Sequence, residues 1–204
     1  APMKNKLGTI ACLLAVVQMM LILVSWVIAA AFPELNTHSL LSSEGIRWFF
    51  GRFVDNMQTR FLVWIILVTI ALGAFNTSGL TSAISPRTSA PLHYRQRMAL
   101  RVVGIELIVL LVAIVLLTAI PHAVLLSVTG SLWPSSFSAS IIPIVTFIVS
   151  ICSITYGLIS GKLKTNADVY HALTIGPAQC AFILPLYILI VQLVQSALFV
   201  FNQI

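Results

Sequence analysis

One carboxylate sits inside an otherwise uncharged apolar run, and its chemistry sets the first question. Glu106 lies about one turn inside the run 102–120, five residues after Arg101. A carboxylate in hydrocarbon is expensive unless it is paired or close to the interface. Glu106 therefore reads either as a proton or cation site or as half of an interfacial salt bridge with Arg101 or a neighbouring helix, and its depth favours the salt bridge. Two other places could gather polar groups. The run 61–84 turns polar at Asn76-Thr77-Ser78, and Pro185 lies well inside the run 177–201. A proline inside a helix removes a backbone hydrogen bond and kinks the chain. The freed groups then need neighbours or water, and broken membrane helices place ligand sites at such points. The plainer alternative for Pro185 is an ordinary tolerated membrane proline.

The remaining reactive residues do not assemble. His38, His93, His122 and His171 fall in separate segments, and Cys12, Cys152 and Cys180 lie in or beside apolar runs. No HxxxH, CxxC or paired-carboxylate spacing occurs, so neither a metal nor another cofactor is expected. Three cysteines do not suggest a disulfide framework; they read as small buried hydrophobes. No Ser/His/Asp set falls on one side, and no enzyme is expected.

These residues are carried by membrane spans. The 204-residue chain is 59% hydrophobic and 8% charged, with a mean hydropathy of +1.06. A soluble domain carries roughly 25% charged residues, so most of this surface must face lipid. Its formal net charge is +6, but the basic residues sit between apolar runs and form no stripe for nucleic acid. A span needs about 20 apolar residues. Five runs qualify, at about 7–32, 61–84, 102–120, 139–161 and 177–201, all within a single transmembrane domain, 1–204. The first run is longer than a signal-peptide core and reads as a true span, with Ala1-Pro2 as a tag remnant ahead of Met3.

Lys and Arg collect on cytoplasmic loops. An inside N-terminus places Lys4, Lys6, Arg87, Arg95, Arg97, Arg101, Lys162 and Lys164 inside, and Arg47, Arg52 and Arg60 outside. The expectation is N-in and C-out. Residues 43–60 should form an amphipathic interfacial helix, with Ile46, Phe49, Phe50, Phe53 and Met57 at helical spacing, Ser43 as N-cap, and Trp48 at the headgroup boundary. A second short surface stretch, 166–175, carries Asp168, Tyr170 and His171, and Pro177 then opens the last span. Pro143 falls near the start of the fourth span. Ser153, Gly157 and Gly161 make a small-xxx-small ladder that lets helices approach closely, and Ala172, Gly176 and Cys180 repeat it more weakly.

Several phrases occur in a telling order: LVSWVIAAAF (23–32), SLLSSEGIRW (39–48), AFNTSGL (74–80), TGSLWPSSFSASIIP (129–143), YGLISGKLKTNADV (156–169) and ALFVFNQ (197–203). Together they resemble the AbgT family of bacterial transporters, whose named member takes up p-aminobenzoyl-glutamate. The resemblance covers roughly 7–84 and 92–203. It implies a multi-pass protein of the bacterial cytoplasmic (inner) membrane. Family members are about twice as long or more and carry two re-entrant hairpins, one after the Ser78-Gly79-Leu80 phrase and one beyond Ile204. Here the basic stretch 87–101 follows that phrase almost at once, and Asn76 and Thr77 stand where acidic residues are often found. No substrate or cation ligand of the family has a matching position.

The resemblance therefore implies the family's scaffold spans without its transport core. The expected role is a scaffold or accessory subunit, as a homodimer or with a partner membrane subunit. The alternative is a small homo-oligomeric transporter of an organic solute such as an aminobenzoyl-glutamate, with Glu106, Asn76 and Pro185 at its site. A lipid-binding protein or intramembrane enzyme is a distant third.

Overall fold

The computed structural model describes residues 2–35, 37–84, 93–119 and 136–201. Arg87 and His122 lie outside the described residues. Among the described residues, five helices are long and apolar enough to cross a membrane. They belong to α1 (Pro2–Ala31), α4 (Arg60–Ser78), α6 (Tyr94–Ala119), α7 (Ser136–Ser160) and α9 (Ile183–Val200). The shorter α-helices among the described residues are α2 (Ser43–Gly51), α3 (Phe53–Met57), α5 (Leu80–Ile84) and α8 (Asn166–Cys180), with a 3-10 turn at Pro33–Leu35. The all-α, polytopic architecture expected from the apolar runs is present.

Local chemistry explains where these helices start and stop, and it corrects several boundaries. α2 is capped by Ser42 and not Ser43: the Ser42 hydroxyl accepts from the Gly45 N–H at 3.0 Å. The expected single helix over 43–60 is two helices separated at Arg52. α6 begins at Tyr94, where the Gln96 side chain reaches back to the His93 N–H at 3.0 Å, half of a capping box. Arg95, Arg97 and Arg101 thus ride on the helix and not in a loop.

α4 stops at Gly79, whose φ of +80° only glycine adopts freely. α7 stops at Gly161, also at +80°. There the Gly161 N–H bonds to the Leu158 carbonyl at 3.2 Å and the Lys162 N–H to the Gly157 carbonyl at 3.0 Å, the paired bonds of a Schellman cap. α8 opens on a full capping box. Asp168 accepts from the Thr165 N–H at 2.9 Å and Thr165 Oγ1 accepts from the Asp168 N–H at 3.2 Å.

Three prolines sit differently from their expected places. α7 begins at Ser136, so Pro143 is internal. Pro177 lies inside α8 and opens no span. Pro185 is in the first turn of α9, and the helix is interrupted just before it, at Ala181 and Phe182. A proline ring collides with the carbonyl four residues earlier, which for Pro185 is Ala181. The expected mid-span kink is therefore a break between two helices.

The chain divides into two compact units, Ala1–Leu62 with Ala181–Ile204, and Val63–Cys180. In the first, α1 packs on α9. Leu40, Trp48, Phe199 and Val200 form its buried cluster, with Leu21, Ile22 and Phe49 against it. Trp48 stacks on Phe199 with ring centroids 4.4 Å apart, and the Tyr187 hydroxyl donates to the Met57 carbonyl at 2.9 Å and contacts the Thr59 hydroxyl. Positions 187 and 199 are about 18 Å apart along a helix, so α2 and α3 run antiparallel to α9 over that length. Trp48 packs inward on Phe199 and is 8% exposed.

In the second unit α6 and α7 pack antiparallel. Leu80, Ala99, Val103, Cys152 and Tyr156 are its buried cluster. Here α4 and α8 cross at Gly73 and Gly176. A Cβ on Gly73 would stand 2.6 Å from the Gly176 nitrogen, and one on Gly176 would overlap the Thr69 carbonyl oxygen.

Candidate functional site

The α6/α7 seam brings Glu106 to Thr155. The Thr155 hydroxyl donates to Glu106 Oε1 at 3.1 Å, while Oε2 is buried without a partner. Glu106 lies near Cys152 as well, close enough to act on it electrostatically. The expected Arg101 salt bridge is absent: among the described residues the ion pair is His38–Glu44, at 3.8 Å.

Asn76 does not join it. Asn76 is exposed on the last turn of α4, and its neighbours turn to their own backbone. Thr77 donates to the Gly73 carbonyl at 2.8 Å and Ser78 to the Phe75 carbonyl at 3.1 Å. Pro185 belongs to the first compact unit and Glu106 to the second. The ladder of Ser153, Gly157 and Gly161 splits by role. Ser153 is fully buried, Gly157 faces the Leu163 side chain and Ser78, and Gly161 caps the helix. The weaker ladder makes the tighter crossing, through Ala172 and Gly176 against Gly73.

Asp168 is a capping group: backbone N–H groups of Lys164 and Thr165 hold its carboxyl below the usual carboxylate range. His38 lies on Phe199 beside Glu44. Among the described residues no three His, Cys, Asp or Glu side chains could hold a metal ion.

A polar group on the α1/α9 seam was missed in the sequence. Gln18 Nε2 donates to Ser196 Oγ at 3.0 Å, and Gln18 Oε1 is unpartnered. One turn from Ser196, Gln192 is 5% exposed, with neither amide atom bonded among the described residues. The spacing of 192 and 196 on one helix face was the available signal, but amides carry no charge and do not interrupt a hydropathy run. An unmade hydrogen bond costs a buried polar group about 1–3 kcal/mol. Gln192→Leu, similar in size, should therefore raise stability by about 1–2 kcal/mol in equilibrium unfolding in mixed detergent micelles. A loss of stability would show that Gln192 has a partner in the membrane.

The fold and seams define a multi-pass helical membrane protein. Residues 67–204 match the AbgT putative transporter family, and the chain belongs to that family. Its fold is that of the YdaH transporter of Alcanivorax borkumensis, a crystal structure described as having an unusual topology. The two agree with a TM-score of 0.78 over 95% of this chain and 71% of that one, at 17% identity. No curated protein sequence matches the chain significantly.

Proposed function

We propose that this chain is a scaffold or accessory subunit of a transmembrane transport system in the bacterial cytoplasmic membrane, working as a homodimer or with a partner membrane subunit. The observation that carries this reading is how the spans spend their hydroxyl groups. Thr69, Thr77, Ser78, Thr146, Ser150 and Ser153 each donate to a carbonyl three or four residues earlier in their own helix. A transport site instead needs polar groups converging near mid-membrane and opening to each side in turn. The glycine crossing of α4 and α8 fits a rigid support.

Native mass spectrometry of protein extracted gently from its own membrane tests the proposal. A stoichiometric second subunit, or a homodimer inactive alone in liposomes, is expected. Saturable uptake by the chain alone would overturn it.

The unpartnered Glu106 oxygen favours one second reading, a small homo-oligomeric transporter of an organic solute. The two readings separate on Glu106→Gln, which keeps an acceptor for Thr155. A scaffold should keep its folding, its stoichiometry and any partner-dependent uptake within about twofold, since one hydrogen bond is worth little net. A tenfold or greater loss of uptake with folding intact would instead favour the transporter.

A further inference from the structure

We infer that the N-terminal end of α6 holds an anionic phospholipid, its phosphate between Arg97 and Arg101 and an acyl chain along the apolar face that continues from them. Tyr94, Arg97, Met98, Arg101 and Val102 line a depression of about 310 Å³. Arg97 and Arg101 are one turn apart and so project from one helix face, and both are exposed. Guanidinium groups match phosphate oxygens in a fork geometry. The amino end of a long helix adds positive potential.

The charge balance of this compact unit leaves the pair without a protein counter-ion. Residues 63–180 contain two acids, Glu106 and Asp168, against Arg87, Arg95, Arg97, Arg101, Lys162 and Lys164. Glu106 is engaged by Thr155. Asp168 is engaged by the backbone of Lys164 and Thr165. Two of the bases also have positions of their own. Arg95 lies over Gly161, with its Nη1 3.2 Å from where a Cβ would stand, and Lys162 lies over Gly79. Each sets a cation at a helix carboxyl end, where the helix dipole favours it. No described carboxylate pairs with Arg97 or Arg101.

The choice of a lipid over a free anion rests on what lies beyond the arginines. Met98, Ile105, Ile108, Val109 and Val112 are exposed on α6, from 51% to 64%. Their spacing of three, four and seven residues forms one stripe running from the arginines into the apolar span. A free phosphate would use only the basic end, whereas a phospholipid uses both. Basic pockets at the ends of membrane helices bind acidic headgroups for this reason.

The test uses the full chain purified in mild detergent. Phosphatidylglycerol, phosphatidylcholine and inorganic phosphate are titrated separately. Bound mass is counted by native mass spectrometry and the unfolding temperature is followed. Phosphatidylglycerol is expected to be retained over phosphatidylcholine and to raise the unfolding temperature. R97Q/R101Q should weaken it roughly 30-fold, while R47Q/R52Q, beside Glu44 in the other unit, should not. Should the double variant fail to fold, R97Q and R101Q singly carry the same test, at roughly fivefold each. Equal retention of the two lipids, a preference that survives loss of both arginines, or displacement of the lipid by millimolar inorganic phosphate would overturn the site.

Discussion

Gly176→Leu is expected to cost about 3 kcal/mol or more of stability, the largest effect of any single change proposed for this chain. The reason is the kind of neighbour the new side chain would meet. A Cβ at position 176 would already overlap the Thr69 carbonyl oxygen, and the Gly73 nitrogen is only 2.9 Å from it. Both are backbone atoms of α4, so no rotamer change makes room and the helices must separate. Gly176→Ala should follow the same direction with a smaller loss, and Gly73→Ala as well, because its Cβ would stand 2.9 Å from the Ala172 carbonyl oxygen. Gly104→Ala is the control. A Cβ there meets nothing within 4 Å, so α6 should gain up to about 1 kcal/mol of helix propensity. Unfolding in mixed micelles compares the four. Equal stability of Gly176→Leu and Gly104→Ala would mean that α4 and α8 do not cross as described.

That crossing shows which parts of the structure were legible in the sequence. The five spans were, because lipid demands long uncharged apolar runs and little else reproduces them. Their ends were read less well, because caps are set by single side chains. Gln96 reaching back to His93 carries α6 to Tyr94, and hydropathy cannot register an amide bonding a backbone N–H. The two small-residue ladders were both visible, but which of them a neighbouring helix of the same chain would use was not. A ladder states where a backbone could approach, and only the partner's surface decides whether one does. Gly73 supplied that surface, while Gly161 served as a cap.

Pro185 was legible in part: its ring excludes the carbonyl four residues earlier, and the chain breaks there. The candidate site was harder to read. Glu106 announced itself by charge, but its engagement with Thr155 instead of Arg101 depends on the register of α6 against α7. Gln192 gave only a faint signal, its spacing from Ser196 on one helix face, since a neutral amide does not break an apolar run.

Trp48→Ala is expected to cost about 2–3 kcal/mol and to free α2 from α9. Large aromatic truncations in soluble cores cost about 3–5 kcal/mol, part of which is transfer of the lost surface from water. Against lipid that part shrinks and packing remains, which sets the lower figure. The packing itself is extensive. Trp48 stacks within 17° of parallel on Phe199, in a cluster with Leu40 and Val200, and a Cβ on Gly45 would overlap the Ser39 carbonyl oxygen, so the start of α2 is pressed onto the chain before it. The far end of the pair is held by Tyr187 on Met57. Removing Trp48 should therefore leave α3 tethered at one point, and amide exchange across 43–57 should quicken most toward α2. Trp48→Phe, which keeps a ring for Phe199, should recover more than half of the protection. The opposite surface of these helices, with Ile46, Phe50 and Val54 exposed, gives the competing case. If Trp48 were only a headgroup anchor, its truncation would weaken lipid contact and leave exchange in 43–57 unchanged. Amide exchange thus separates an anchor that holds two helices to a span from one that only rests them on the membrane.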